Sequence, residues 1–540
     1  MEKKQSNQFL KGTLILTVGG MIVKVIGSLN WIILSRVLGG EGIGLYQMAF
    51  PIYLLALSVS SAGIPVAISI ITAERLAFQD YRGANRVFYL SLLVLAGTGL
   101  FFSGLLYTGA GWLIEQRLIR DPRAYYSLIA LSPAIFFVTI LSSFRGYLQG
   151  WQLMTPTAVS QIVEQIFRVG AMLIFAAMLL PKGLEYAAGG ASMGAGTGAV
   201  AGLLVLIYSY WRVQQKNKEQ IKAQPPAENA ESNRKLLGRI IKLALPVSLS
   251  SLMLPAVANL DLFIVPLRLE TAGYAVEQAT ELFGYLTGMA VPLVNLATIF
   301  TAALATSLVP AISREYSLGN WENIKQRIAA AMRITNLVTI PAAVILWLLA
   351  EPVCTLVYHA PQAADSVRVL SIAVYLLGLH QTTTGVLQGM GHTAIPVINM
   401  GAAAVVKVFL SWELTALPAL GIQGAAWATV ADMGVAALLN MYFIKRYTGF
   451  IMNWDVLWKN MIAAAVMGVI LYGLYDLLAA FTSSLVISMV VSLLIAGIVY
   501  LAVMLIIGGM SFRDLGQVPL VGASLVKIGN CFGLIKNKEE

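Results

Sequence analysis

Again and again the chain runs for more than twenty residues with scarcely a charge. About fourteen such stretches occur, at roughly 10–37, 44–73, 85–113, 124–149, 155–180, 189–211, 238–267, 281–312, 328–350, 367–390, 394–417, 421–444, 458–479 and 484–508, each near the roughly 20 residues that a helix needs to cross a bilayer. A chain of 540 residues spent this way has little left for a soluble domain. Its 58% hydrophobic and 11% charged residues agree. No run alternates apolar and polar residues over the length of a barrel strand, so the spans are read as helices. The expected fold class is an all-α polytopic membrane protein of about fourteen transmembrane helices.

The first span follows "MEKKQSNQ" and has no small-residue cleavage site, which reads as a retained helix rather than a signal peptide. The net charge of +10 does not point to nucleic acid, because most of the 36 Lys and Arg cluster in alternate loops. That asymmetry is the positive-inside pattern of a multi-pass protein of the cytoplasmic membrane with both termini in the cytoplasm. The same topology puts Cys354 near the outer surface and Cys531 in the cytoplasmic tail, too far apart for a disulfide.

The longest polar interruption covers 211–239 and contains a Pro-Pro pair; it reads as a linker. The two sides of it match. Adding 239 carries Gly146, Leu148, Gln149, Gly150 and Arg168 onto Gly385, Leu387, Gln388, Gly389 and Lys407. "QMAFPI" and "GIPVAIS" are echoed by "GMAVPL" and "LVPAIS", and "GGASMGAGTGA" by "GIQGAAWATVA", in the same order. The expected organisation is therefore a first lobe at 1–213, a cytoplasmic linker at 214–235, a second lobe at 236–447, two further spans at 448–510 and a tail at 511–540. An even number of spans separates the repeats, so they are parallel, and a substrate site is expected near the midplane at their interface. The duplicated "LQG" is read as a turn shared by spans 4–5 and 10–11, with its glycines and the following proline permitting a sharp reversal. Gln149 and Gln388 would satisfy backbone groups freed there, substrate contact being the alternative. Arg145, beside the first copy, is expected to face lipid headgroups.

An ionisable group at the bilayer centre costs about 2.5–3.5 kcal/mol on insertion scales, so each one needs a partner or a wet cavity. Lys24, Glu164, Arg168, Asp261, Lys407 and Asp432 are such groups. Glu164 and Arg168, four apart, share a helix face, either as a self-neutralising pair or lining a cavity. Arg168 has its duplicate in Lys407. Lys24 lies too deep to reach the interface, and Asp261 is a candidate partner for it. Arg268 shares a face with Asp261 but lies near the outer surface. Asp432 sits among small residues suited to interhelical hydrogen bonding, and His380 with "QTTT" is expected to hydrogen-bond within the bundle.

No phosphate-loop or metalloprotease motif occurs, and the loops leave no room for an ATPase domain. No enzyme activity and no cofactor is expected. Any transport would draw on the substrate gradient, H+, Na+ or the membrane potential, the last worth about 2.3 kcal/mol per charge per 100 mV.

The stretches "FLKGTLILTVGGMIVKVIGSLNWIILSRVLGGEGIGLY", "AGIPVAIS", "GYLQG", "LFGYLTGMAVPLVNLATIFTAALATSLVPAIS" and "GVLQGMGHTAIP" resemble the stage V sporulation protein B and polysaccharide-export branch of the multidrug/oligosaccharidyl-lipid/polysaccharide exporter superfamily. The lipid II flippases are more distantly similar. The resemblance implies two six-helix lobes around a central cavity, two C-terminal helices forming a groove for a lipid tail, and alternating access that carries a lipid-linked sugar of the undecaprenyl-pyrophosphate type outward. Lys24 falls where the flippases carry a first-helix arginine suited to pyrophosphate. The pattern departs elsewhere: no Lys or Arg lies between Arg36 and Arg75, and 282–312 carries no charge, whereas the flippases place cavity arginines on helices 2 and 8. Arg168 and Lys407 are the expected substitutes, with Glu164 and Asp261 balancing charge and Arg268 and Asp432 as further candidates. Two other readings are a cation-coupled multidrug antiporter of the same superfamily and a non-transporting membrane scaffold for envelope synthesis.

Overall fold

The computed structural model describes residues 2–61, 63–224, 231–482 and 484–509, with backbone alone for 2–18, 21, 24, 222, 223, 246, 249, 250, 253 and 254. Among the described residues, eleven helices are long and apolar enough to cross a membrane, or twelve if a pair bent by 53° counts as one span. The tally differs from fourteen in part because the run Val25–Ala77 covers two expected spans. Cys531 and the 511–540 tail lie outside the described residues. Two compact units divide the chain, and their boundaries do not follow the linker: one comprises Met1–Met289 with Ser411–Ile422, the other Ala290–Leu410 with Gln423–Glu540.

The first unit is built on α1 (Glu2–Ser61), two helices merged at Gly39, whose φ of 66° is open to glycine but costly to a residue with a Cβ. It continues through α2 (Ile64–Ala77), α3 (Tyr81–Glu115), α4 (Tyr125–Gly150), α5 (Met154–Leu179), α6 (Leu184–Lys216), α7 (Lys218–Ala223), α8 (Asn233–Thr271) and α9 (Val276–Gly284). Short polar side chains start two of these helices: Asp80 accepts from the Gly83 amide at 2.7 Å ahead of α3, and Ser232 from the Lys235 amide ahead of α8. Between apolar helices in lipid, van der Waals packing replaces the hydrophobic drive, so small residues mark the seams. On α6, Gly190, Gly194, Gly198 and Gly202 repeat every fourth residue, and a Cβ on three of them would stand 2.6–2.7 Å from the Phe175, Arg168 and Glu164 carbonyl oxygens of α5. The small-residue run seen in the sequence is the surface on which α5 rests.

The second unit holds α10 (Val291–Ala297), α11 (Ile299–Ser317), α12 (Trp321–Leu348), α13 (Ala350–Tyr358), α14 (Ala364–Gly389), most of α15 (Ala394–Thr415) and α16 (Ile422–Thr448), and the hairpin α17 (Trp454–Phe481) and α18 (Leu485–Ile506). Ile340, Met467, Leu471, Ala496 and Met504 form a buried core between the hairpin and α12. There the Tyr500 hydroxyl meets Asn460 Oδ1 at 2.9 Å and the Leu337 carbonyl at 3.3 Å. Cys354 is buried in α13.

Each unit contains the same helix, built the same way. A 3-10 turn, Pro122–Ala124 or Pro361–Ala363, leads into 26 residues of helix, and each helix ends in the same backbone pattern. Gln152 N bonds to Gln149 O and Leu153 N to Leu148 O; Gly391 N bonds to Gln388 O and His392 N to Leu387 O. The residues that turn the chain are Gln152 and Gly391, with φ of 59° and 82°. This corrects the reading of "LQG" as the turn itself: its Gly150 and Gly389 are the last residues of the two helices, and with Gly146 and Gly385 one turn earlier they admit close neighbours. A Cβ on Gly146 would stand 2.5 Å from Pro65 O, and one on Gly385 2.5 Å from Ala305 O. On Gly150 it would stand 2.6 Å from Thr72 Cβ, and on Gly389 2.8 Å from Ile312 Cβ. Nor does glutamine satisfy the turn, since no side-chain hydrogen bond joins Gln149 or Gln388 to the described residues.

Candidate functional site

In the first unit the glycine seam holds α5 flush against α6, and α5 presents Glu164 and Arg168 one turn apart. Arg168 Nη2 lies 2.6 Å from Glu164 Oε1, the contact that the spacing implied. A third member comes from α4: Arg145 Nη2 reaches Glu164 Oε2 at 2.8 Å and also donates to Ser160 Oγ at 3.3 Å. Arg145 therefore does not face lipid headgroups, because a carboxylate across the helical hairpin holds it.

The cluster sets two guanidinium groups against one carboxylate. Arg145 and Glu164 are less than a fifth exposed and Arg168 under a quarter, so water supplies little compensation. Arg168 Nε is buried without a hydrogen-bond partner among the described residues. The result is a surplus positive charge with an unspent donor in a chain that crosses a membrane, an arrangement that favours an anion with several acceptor oxygens. The buried phenols Tyr46 and Tyr53 lie within the electrostatic reach of Arg168. From α1, Asn30 adds a buried carboxamide: its Nδ2 lies 3.4 Å from Met172 Sδ and its Oδ1 has no partner among the described residues.

The other sequence candidates are dispersed. The Lys24 side chain lies outside the described residues. Asp261 is on α8, partly buried and engaged in a polar or electrostatic interaction. Arg268, seven residues further, stacks its guanidinium 4.5 Å from the centre of the Trp412 ring and donates from Nε to the Trp412 carbonyl at 2.6 Å. Lys407 on α15 and Asp432 on α16 are buried and engaged. They belong to the second unit, whereas Arg145, Glu164 and Arg168 belong to the first.

Sequence reasoning missed a pair of clasps that tie α8 and α9 to the earlier helices of the first unit. At one end, Arg120 meets Glu270 at 3.4 Å and the Thr280 hydroxyl donates to Asp121 at 2.9 Å, beside a cavity of about 510 Å³; next to them Arg123 pairs with Glu41 of α1 at 2.6 Å. At the other, Arg75 meets Glu231 at 2.9 Å, Arg239 pairs with Glu74, and the Gly63 amide donates to Ser248 Oγ at 3.0 Å. The arginines had registered only as loop charges, because their partners are between 82 and 165 residues away.

The second unit carries a neutral polar network. Asn440 Nδ2 lies 3.2 Å from Thr383 Oγ1, 3.1 Å from Thr384 Oγ1 and 3.4 Å from His380 Nδ1, while Asn399 donates to Asn440 Oδ1 at 2.8 Å. Thr301 donates to Gln381 Oε1 at 2.7 Å, and Thr335 and Thr382 pair at 2.7 Å. The expectation that His380 and its neighbours bond within the bundle is met.

Comparison with known proteins follows the same lines. Residues 9–315 match the family described as polysaccharide biosynthesis protein, and residues 287–412 the family described as MatE. Stage V sporulation protein B of Bacillus subtilis (strain 168) is 33% identical, over 81% of this chain and 84% of its own. The lipid II flippase MurJ of the same organism is 28% identical, over 86% and 88%. Among solved structures, the inward closed conformation of a lipid II flippase MurJ superimposes with a TM-score of 0.69 at 16% identity, covering 93% of this chain and 99% of that one. An inward-facing multidrug resistance MATE family transporter gives 0.63 at 18% identity, covering 81% and 98%.

Proposed function

The chain belongs to the polysaccharide biosynthesis protein family, within the multidrug/oligosaccharidyl-lipid/polysaccharide exporter superfamily, and from that membership we propose that it is a flippase for a lipid-linked peptidoglycan or polysaccharide precursor. The protein is a multi-pass membrane transporter, not an enzyme. On this reading it works in the cytoplasmic membrane by alternating access, with both termini in the cytoplasm, in envelope or spore-cortex synthesis.

The observation that carries the reading is the surplus cation at Arg145, Glu164 and Arg168. A diphosphate offers what the cluster lacks, negative charge and acceptors for the open Arg168 Nε. In the resting arrangement Glu164 occupies both arginines; an arriving diphosphate competes for them and leaves Glu164 to a proton or cation. That exchange would couple transport to H+, Na+ or the membrane potential without ATP. Lys24 and Lys407 are proposed as further substrate-binding cations and Asp261 as a charge-balancing group, each on its own helix. The duplicated helices Tyr125–Gly150 and Ala364–Gly389 support two repeated lobes, 1–213 and 236–447.

The test is translocation in proteoliposomes with a panel of undecaprenyl-diphosphate-linked sugars. Wild-type protein moves at least one of them, and Arg168→Ala abolishes movement while the protein stays folded, since Arg145 still holds Glu164. Full transport by Arg168→Ala and by Arg145→Ala would sink the site assignment. A second reading, a cation-coupled multidrug antiporter, draws on the MatE match over residues 287–412. It requires ion-driven efflux of organic cations, which the surplus positive charge opposes.

A further inference from the structure

A groove of about 450 Å³ runs between α11 and α14 in the second unit, a volume within the range of roughly 300–1,000 Å³ typical of small-ligand sites. Its floor is where the Gly385 backbone meets Ala305. One wall is apolar, with Ala305, Val309 and Pro310; the other carries Gln381, Thr384 and Gln388, with His380 beside them. None of the residues that line it is a Lys, Arg, Asp or Glu.

The polar wall is set up by bonds behind it. Gln381 Oε1 is taken by Thr301, so the Gln381 amide hydrogens remain to be given. Thr384 Oγ1 accepts from Asn440 and keeps its own proton to donate. Asn440 Nδ2 also lies 3.4 Å from His380 Nδ1, so the imidazole sits beside the same network. Thr306 donates to the Ala302 carbonyl and keeps free lone pairs, and Gln388 is exposed with no side-chain partner among the described residues. The groove thus offers donors and acceptors together, no net charge, and an apolar platform of alanine, valine and proline. An anion would find no cation there, and an organic cation no carboxylate. What fits is a ring with hydroxyl groups at its rim and C–H bonds on its face.

The repeat sharpens the assignment. At the positions 239 residues earlier, Thr384 corresponds to Arg145, Gln388 to Gln149 and His380 to Leu141. One copy of the scaffold carries a buried cation where the other carries a hydroxyl. We propose that the groove between α11 and α14 is a subsite for the uncharged sugar residues of the carried lipid and sets which glycan is accepted. The assignment rests on the reading of the protein as a carrier of lipid-linked glycans.

The experiment uses the full chain in nanodiscs and two probes, undecaprenyl diphosphate and undecaprenyl diphosphate bearing N-acetylglucosamine. Wild-type protein should hold the glycosylated probe about tenfold more tightly, the worth of one or two net hydrogen bonds. Gln388→Ala, at an exposed position that leaves the fold alone, and Gln381→Ala should each erase most of that preference while binding of the bare diphosphate stays as it was. If wild-type protein binds both probes equally, or if the variants keep the preference, the subsite is overturned while the lipid-diphosphate carrier stands. Failure to bind either probe, with capture of an organic cation instead, overturns the carrier reading and the subsite with it.

Discussion

Arg145 on α4 and Glu164 on α5 lie 19 residues apart in sequence and 2.8 Å apart in space, and their contact converts a simple helical ion pair into a cluster with one charge to spare. Because Glu164 also holds Arg168 at 2.6 Å, the carboxylate is the member whose loss leaves the most charge uncompensated.

Glu164→Ala should therefore destabilise by about 3–5 kcal/mol, the cost of breaking a buried pair by removing one partner. Arg145→Met, which leaves the Arg168 pair in place, should cost less than half of that. Melting curves of the two variants in detergent give the comparison, and equal losses would mean that Arg145 and Arg168 do not share the carboxylate.

Gly146→Ala and Gly385→Ala should behave alike, since a Cβ at either would stand 2.5 Å from a neighbouring backbone oxygen. Each should lose about 1–3 kcal/mol to overpacking. Gly104→Ala, where nothing lies within 4 Å, is the control and should gain up to about 1 kcal/mol from helix propensity. Thermal shifts of the three proteins settle the matter; a harmless Gly146→Ala would contradict the close contact.

Thr280→Val removes a hydroxyl that donates to the buried carboxylate of Asp121. A hydrogen bond to a charged group is worth about 1.5–3 kcal/mol, and that much stability should go. Hydrogen exchange should quicken along 276–284 before it does so elsewhere. Uniform acceleration across the chain would argue that Thr280 does not clasp α9 locally.

Tyr500→Phe deletes the hydroxyl that meets Asn460 and the Leu337 carbonyl. The expected cost is roughly 1–2 kcal/mol, read as earlier proteolysis between α17 and α18. An unchanged cleavage rate would show that the apolar core alone seats the hairpin.

Much of this was open to reading in the sequence. The apolar stretches announce helices because length and composition alone decide whether a segment suits a bilayer. The 239-residue offset predicted a duplication, and one helix follows it: Tyr125–Gly150 and Ala364–Gly389 both end in a turn through a residue of positive φ, Gln152 and Gly391. Glu164 and Arg168 were legible because four residues bring side chains onto one helix face. A signal for Arg145 existed too: folding the chain back about the Gln152 turn sets position 145 opposite Ser160, one helical turn short of Glu164. It went unread because a charge near a helix end has an easier home among headgroups.

What the sequence determined by itself is what local spacing and composition can encode: a helical membrane protein, its repeat, its family and one ion pair. Tertiary structure decided which cations are spoken for, why "LQG" carries glycines, and where α8 and α9 are clasped. Those facts depend on side chains meeting at 2.9–3.4 Å, and on backbone packed so closely that a Cβ on Gly146 would stand 2.5 Å from Pro65 O, between helices distant in sequence; no periodicity along a single chain records which helix face will meet which.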